Sequence, residues 1–165
     1  MDFNLFSIKR RGFLFKNYKI YKGEELKYRV KASAFLRKFV VYDQHGLELI
    51  QIKRPFSFAF FTMTFTINKF DSPIAEVTTD GKLFTNNLNI VSKDGVYNAD
   101  GNFRANNFTI YKNDEEEVAK ISRHHAFAKH QYGVAIKSSE DELLILCIVM
   151  AIEMMIRVKR ARKSG

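Results

Sequence analysis

Between Leu26 and Ala32 the apolar residues Leu26, Tyr28, Val30 and Ala32 alternate with Lys27, Arg29 and Lys31. That period of two gives a strand one buried and one wet face. Tyr18–Lys22 sits just before it, across Gly23-Glu24-Glu25, and the two read as a hairpin. Further strands are expected at Phe39–Tyr42, Leu47–Lys53, Ser57–Phe61, Met63–Asn68, Ile74–Thr78, Leu88–Ser92, Phe108–Tyr111, Val118–Ser122 and Tyr132–Lys137. Turn chemistry separates them at Asp43–Gly46, Asp80-Gly81, Asp94-Gly95 and Asp100-Gly101, where Gly adopts positive φ at little cost. The pattern changes at the end of the chain. Leu143–Ile156 (LLILCIVMAIEMMI) carries a single charge, Glu153, and a run of about 10 to 14 apolar residues suits a helix buried in protein better than a bilayer span. Apolar on every face, that helix must be surrounded on all sides. The expected fold is mostly β, a closed antiparallel β-barrel of about a dozen strands around one buried C-terminal α-helix, since a barrel of that size has interior room to fill.

A partial repeat supports this. Phe39-Val-Val-Tyr42, Glu48-Leu49 and Gln51-Ile52-Lys53-Arg54 recur as Phe108-Thr-Ile-Tyr111, Glu117-Val118 and Lys120-Ile121-Ser122-Arg123, and Phe65-Thr-Ile-Asn-Lys-Phe-Asp71 copies the first half again. Each copy reads as a hairpin that needs neighbours to bury its face.

Composition narrows the class. The chain has 165 residues and is 46% hydrophobic, with 16 Phe, 7 Tyr, no Trp and 2 Pro, as expected of one folded domain over 1–165, with a central helix at about 140–158 and a basic tail at 159–165. A lone Cys147 in the apolar run excludes an intramolecular disulfide and suggests a reducing compartment. The N-terminal MDFNLFSIKRRGF lacks the long apolar core of a signal peptide, so the cytoplasm is the expected location. The net charge of +9 is uneven: +8 over residues 1–60 (13 cations, 5 anions), −3 over 61–122 (6 and 9) and +4 over 123–165 (8 and 4). Basic ends point to an anionic partner, a membrane surface or nucleic acid, or merely to well-solvated strands.

Val96–Ile156, with its Phe108-x-Ile110 strand, acidic turn, Val118-Ala119-x-Ile121, Tyr132-x-Val-x-Ile136 and terminal Leu/Ile/Val helix closed by a carboxylate, resembles the LURP-one-related family. That family belongs with the tubby C-terminal domain and the phospholipid scramblases. The Val41-Tyr42-Asp43-Gln-His-Gly46 hairpin extends the likeness from about Leu26 to Ile156. The chain departs from the family pattern in carrying Glu153 for the usual Asp, and Phe127 is the nearest substitute for a Trp common between the last two strands. The resemblance implies a tubby-like barrel threaded by the C-terminal helix. It also implies an association with membranes, since tubby domains bind phosphoinositide headgroups and scramblases act on bilayers.

Catalytic chemistry finds little to stand on. His124-His125 and His130 lack nearby Cys partners, and no G-x-S-x-G, H-E-x-x-H or Gly-rich phosphate loop occurs. Ser138-Ser139-Glu140-Asp141-Glu142 reads as a helix cap, with Ser139 and Glu142 at capping-box spacing, rather than a calcium loop. No enzyme activity, cofactor or metal is expected. The expectation is a monomeric, non-enzymatic cytoplasmic barrel, peripheral to membrane, that binds anionic phospholipid headgroups through Lys19, Lys27, Arg29 and Lys31 on the first hairpin and Arg157, Lys159 and Arg160 at the helix end. The alternative is a nucleic-acid-binding or protein-interaction module with a basic surface. Glu153 and Arg157, four residues apart, are expected to pair near one mouth of the barrel.

Overall fold

Strand alternation puts a β-branched or aromatic residue inward at every second position, and closing the sheet on itself removes both edges while enclosing those residues. In the computed structural model, which describes residues 2–11, 17–33, 36–55, 63–79, 87–103, 105–122 and 131–163 (of 87 and 160–163, the backbone alone), twelve antiparallel strands do this. They are β1 (Phe3–Arg11), β2 (Asn17–Lys22), β3 (Glu25–Ala32), β4 (Lys38–Asp43), β5 (Glu48–Lys53), β6 (Thr64–Lys69), β7 (Ser72–Thr79), β8 (Asn87–Ser92), β9 (Gly95–Asn102), β10 (Asn107–Lys112), β11 (Glu116–Ser122) and β12 (Gln131–Lys137). Each pairs with its neighbour in sequence, and β1 pairs with β12 to close the ring.

The helix α1 (Glu142–Lys163) follows β12 and runs through the barrel. Leu144 through Ile152 is buried without interruption, followed by Met154, Met155, Ile156 and Val158. Around it stand inward residues of every strand, among them Ile8, Ile20, Val30, Phe39, Ile52, Phe65, Val77, Ile90, Ile110, Ile121 and Val134. Each such side chain contributes roughly 1.5–3 kcal/mol by leaving water. Among the described residues no helix is long and apolar enough to cross a membrane. The helix runs past the expected boundary near 158, so residues 159–163 of the basic tail are its last helical turn.

Two strands went unforeseen. β1 closes the barrel with Phe6 and Ile8 inward, and β9 contains Asp100-Gly101, which was expected to be a turn. Gly101 bends that strand at φ +139, and a Cβ there would lie 2.7 Å from Asn107 O and Phe108 Cα, so only glycine fits. The expected strand Ser57–Phe61 and turn Asp80-Gly81 lie outside the described residues.

The repeat proves to be fourfold in geometry. Hairpins β2–β3, β4–β5, β6–β7 and β10–β11 each shift register at the same place, after Ile20, Val41, Ile67 and Ile110. In each, an aromatic two residues earlier faces the core: Tyr18, Phe39, Phe65 and Phe108. Tyr18 is the one copy with a hydroxyl.

Candidate functional site

All the β2–β3, β4–β5, β6–β7, β8–β9 and β10–β11 turns share one end of the barrel with the β12–α1 connection, because the strands alternate direction around the ring. Most of the chain's 18 carboxylates sit on this rim. Here the helix is anchored: Glu142 accepts hydrogen bonds from Asn4 Nδ2 at 2.7 Å and Lys22 Nζ at 3.0 Å, while Glu140 accepts from Tyr97 Oη at 3.2 Å and faces Lys112 Nζ at 3.5 Å. Burial, reinforced by Glu140, pushes the Tyr97 phenol pKa up and keeps it a donor. The cap is Asp141, whose Oδ1 accepts from Leu144 N at 3.2 Å, and not the expected Ser139–Glu142 box. Ser138 instead donates its hydroxyl to Asp2 O and Glu140 N bonds Lys137 O, so these residues form a turn ahead of the helix.

The other end holds the C-terminus of α1 and the basic residues. Tyr18 Oη donates to Glu153 Oε1 at 3.0 Å and accepts from Arg157 Nη1 at 2.9 Å. The expected Glu153–Arg157 pairing is thus mediated by Tyr18 and buried, the two residues being 8% and 7% exposed. The guanidinium of Arg157 also lies 5.8 Å from the Tyr18 ring centroid and 5.9 Å from that of Phe39, within cation–π reach. Burial first, then the Glu153 carboxylate, drives the Tyr18 phenol well above its ordinary pKa, and the same two causes raise Tyr132, whose hydroxyl is buried without a hydrogen-bond partner.

On the outer wall beside this end the strand register aligns cations. Lys9 of β1 is directly opposite Lys19 of β2, and Lys19 is directly opposite Arg29 of β3. Arg11, Asn17 and Lys31 form the next row. No carboxylate stands among them. Two tyrosines are interleaved: Lys9 Nζ lies 4.8 Å from the Tyr21 ring centroid and Lys31 Nζ 5.2 Å from that of Tyr42. Lys27 is the bulged residue after the Ile20–Tyr28 pair, opposite no residue of β2, and one step nearer the turn it pairs with Glu25 at 3.1 Å. Of the expected tail residues, Arg157 is committed to the Tyr18 network and Lys159 is partly exposed on the last helical turn; the side chain of Arg160 lies outside the described residues. The first hairpin and the helix end, far apart in sequence, therefore bring their cations to one half of the barrel.

Lys9 was missed. Its alternation within Phe3–Arg11 was readable, but its position opposite Lys19 depends on register. His124, His125, His130 and Phe127 lie outside the described residues. Cys147 faces the core, where burial raises its thiol pKa and keeps it from acting as a thiolate.

No match was found among curated proteins. A solved protein from Arabidopsis thaliana shares the fold at a TM-score of 0.63 with 15% identity, over 91% of this chain and 90% of that one. The LURP-one-related profile matches residues 4–153, which span all twelve strands but for Phe3, and the first half of the helix. The chain belongs to the LURP-one-related family.

Proposed function

We propose that this protein is a non-enzymatic, cytoplasmic, monomeric barrel that attaches peripherally to membranes by binding anionic phospholipid headgroups on the outer face of β1–β3, with the basic end of α1 adding attraction. The observation that carries this reading is the row Lys9–Lys19–Arg29. Like charges directly opposite one another destabilise a sheet, so three in succession without an intervening carboxylate cost stability that an anionic ligand would recover. Rigid strands hold the cations at fixed spacing, and each contributes on the order of 1 kcal/mol near an anionic lipid surface. The LURP-one-related barrel itself supports a binding role over a catalytic one.

Tyr21 and Tyr42 favour a second reading, single-stranded nucleic acid, because aromatic rings among cations can stack bases. The two are separated by cosedimentation with phosphatidylcholine vesicles, with and without phosphatidylserine or phosphoinositide, beside a gel-shift series with single-stranded RNA and DNA at several salt concentrations. Capture by anionic vesicles alone supports the lipid reading. Nucleic-acid binding with a steep salt slope and no vesicle capture replaces it with the second.

A further inference from the structure

The acidic rim carries a feature the basic end does not use. Strands β5 and β6 pair only through Gln51–Asn68, Ile52–Ile67 and Lys53–Thr66, and their tips diverge beyond that point. Between them opens a cleft of about 200 Å³, lined by Glu48, Leu49, Ile50, Gln51, Asn68, Phe70 and Asp71. Phe70 stands beside it 79% exposed, and Leu47 on the neighbouring turn is 62% exposed.

The turn holding Phe70 is unusual for its residue. Phe70 and Asp71 take φ of +50 and +63, matching Asn113 (+52) and Asp114 (+64) in the corresponding turn of β10–β11. A turn with both central residues at positive φ favours Asn, Asp or Gly. An exposed aromatic there contributes no core packing and strains the backbone.

We infer that this cleft receives an arginine side chain from a lysine- and arginine-rich segment of a partner protein. The volume is below that of small-molecule pockets and fits one long side chain. Leu49, partly exposed, offers an apolar wall for the methylene stem, the carboxylates of Asp71 and of Glu48, which also accepts a hydrogen bond from Gln51 Nε2, suit a guanidinium, and Phe70 supplies a ring face for it. The surrounding rim, rich in carboxylates, complements further cations on the same segment. The inference is independent of lipid binding and would give the barrel a protein partner at the end opposite its basic half.

The test uses the full chain and a fluorescein-labelled peptide of alternating arginine and leucine, titrated by anisotropy without lipid. The wild type is expected to bind, and Glu48→Gln with Asp71→Asn to weaken binding at least about tenfold. Asp114→Asn with Glu117→Gln removes the same charge from the same rim outside the cleft and should change affinity less than about twofold. Phe70→Gly should weaken binding at least about fivefold while leaving the melting temperature unchanged or raised, since glycine relieves the backbone. Equal losses from the two charge pairs would reduce the site to diffuse attraction and overturn the inference. So would an unaffected Phe70→Gly variant, absence of peptide binding, or sedimentation showing that Phe70 instead joins two copies of this chain.

Discussion

Replacing Tyr18 with Phe removes one oxygen from the barrel and makes the first hairpin like the other three, which carry Phe39, Phe65 and Phe108 at the same place. Core packing should be preserved. What is lost is the hydroxyl that donates to Glu153 at 3.0 Å and accepts from Arg157 at 2.9 Å, leaving two buried charged side chains without their shared partner. Hydrogen bonds to charged groups contribute about 1.5–3 kcal/mol each. Some water can re-enter where Glu153 and Arg157 keep slight exposure, so the loss should fall at the low end of the pair, about 3 kcal/mol. For a chain of this length that is roughly 6–12 °C in Tm. Urea and thermal unfolding of wild type, Tyr18→Phe, Glu153→Gln and the double variant would measure it, with a coupling energy of about 1.5 kcal/mol expected between the two sites. Tyr132→Phe is the control: its hydroxyl is buried and unpartnered, so its removal should be neutral or stabilising. A Tyr18→Phe variant within about 0.5 kcal/mol of wild type, or one no worse than Tyr132→Phe, would refute the reasoning.

Other expectations follow from the same geometry. Because Tyr18 and Tyr132 have pKa values raised in the folded state, above pH 10 the unfolded chain releases protons that the folded chain keeps, so stability must fall as pH rises, by about 1.4 kcal/mol per pH unit for each tyrosine; urea titrations on either side of pH 10 should show this, with a shallower fall in Tyr132→Phe. Ile148→Asp places an unpaired charge at a fully buried position in the central helix and should abolish soluble expression, whereas carbonate-resistant membrane integration of the wild type would show that the helix is not enclosed at all. Gly101→Ala sets a Cβ 2.7 Å from neighbouring backbone at positive φ, and a loss of more than about 1 kcal/mol should appear in urea unfolding.

The barrel and its central helix were legible because both periodicities are strong: Leu26–Ala32 alternates cleanly and Leu143–Ile156 is apolar on every side. β9 was hidden because Gly95-Val-Tyr-Asn-Ala-Asp-Gly-Asn buries only Tyr97 and Ala99 and otherwise reads as turns. The basic patch was half legible. Alternation showed that Arg29 and Lys31 share a face, but a bulge takes a residue out of the ladder without any mark in composition, which is how Lys27 comes to lie opposite no residue of β2. Lys9 enters the row only through the register of β1 with β2, which sets it opposite Lys19. The Tyr18 network escaped for a similar reason: Glu153 and Arg157 show helical spacing, yet the hydroxyl between them comes from a strand 135 residues away.

The most direct test of the proposed attachment compares two variants of equal charge in vesicle cosedimentation. One replaces Lys9, Lys19, Arg29 and Lys31 with Gln on the outer face of β1–β3; the other replaces the exposed Lys53, Lys69, Lys93 and Lys120 with Gln between β5 and β11, away from that face. With phosphatidylserine-containing vesicles, the first should lose about a hundredfold or more in affinity at low salt, given on the order of 1 kcal/mol per cation near the surface, and the second should bind within a few-fold of wild type. Equal losses in both, or no capture of the wild type at any salt concentration, would contradict the account.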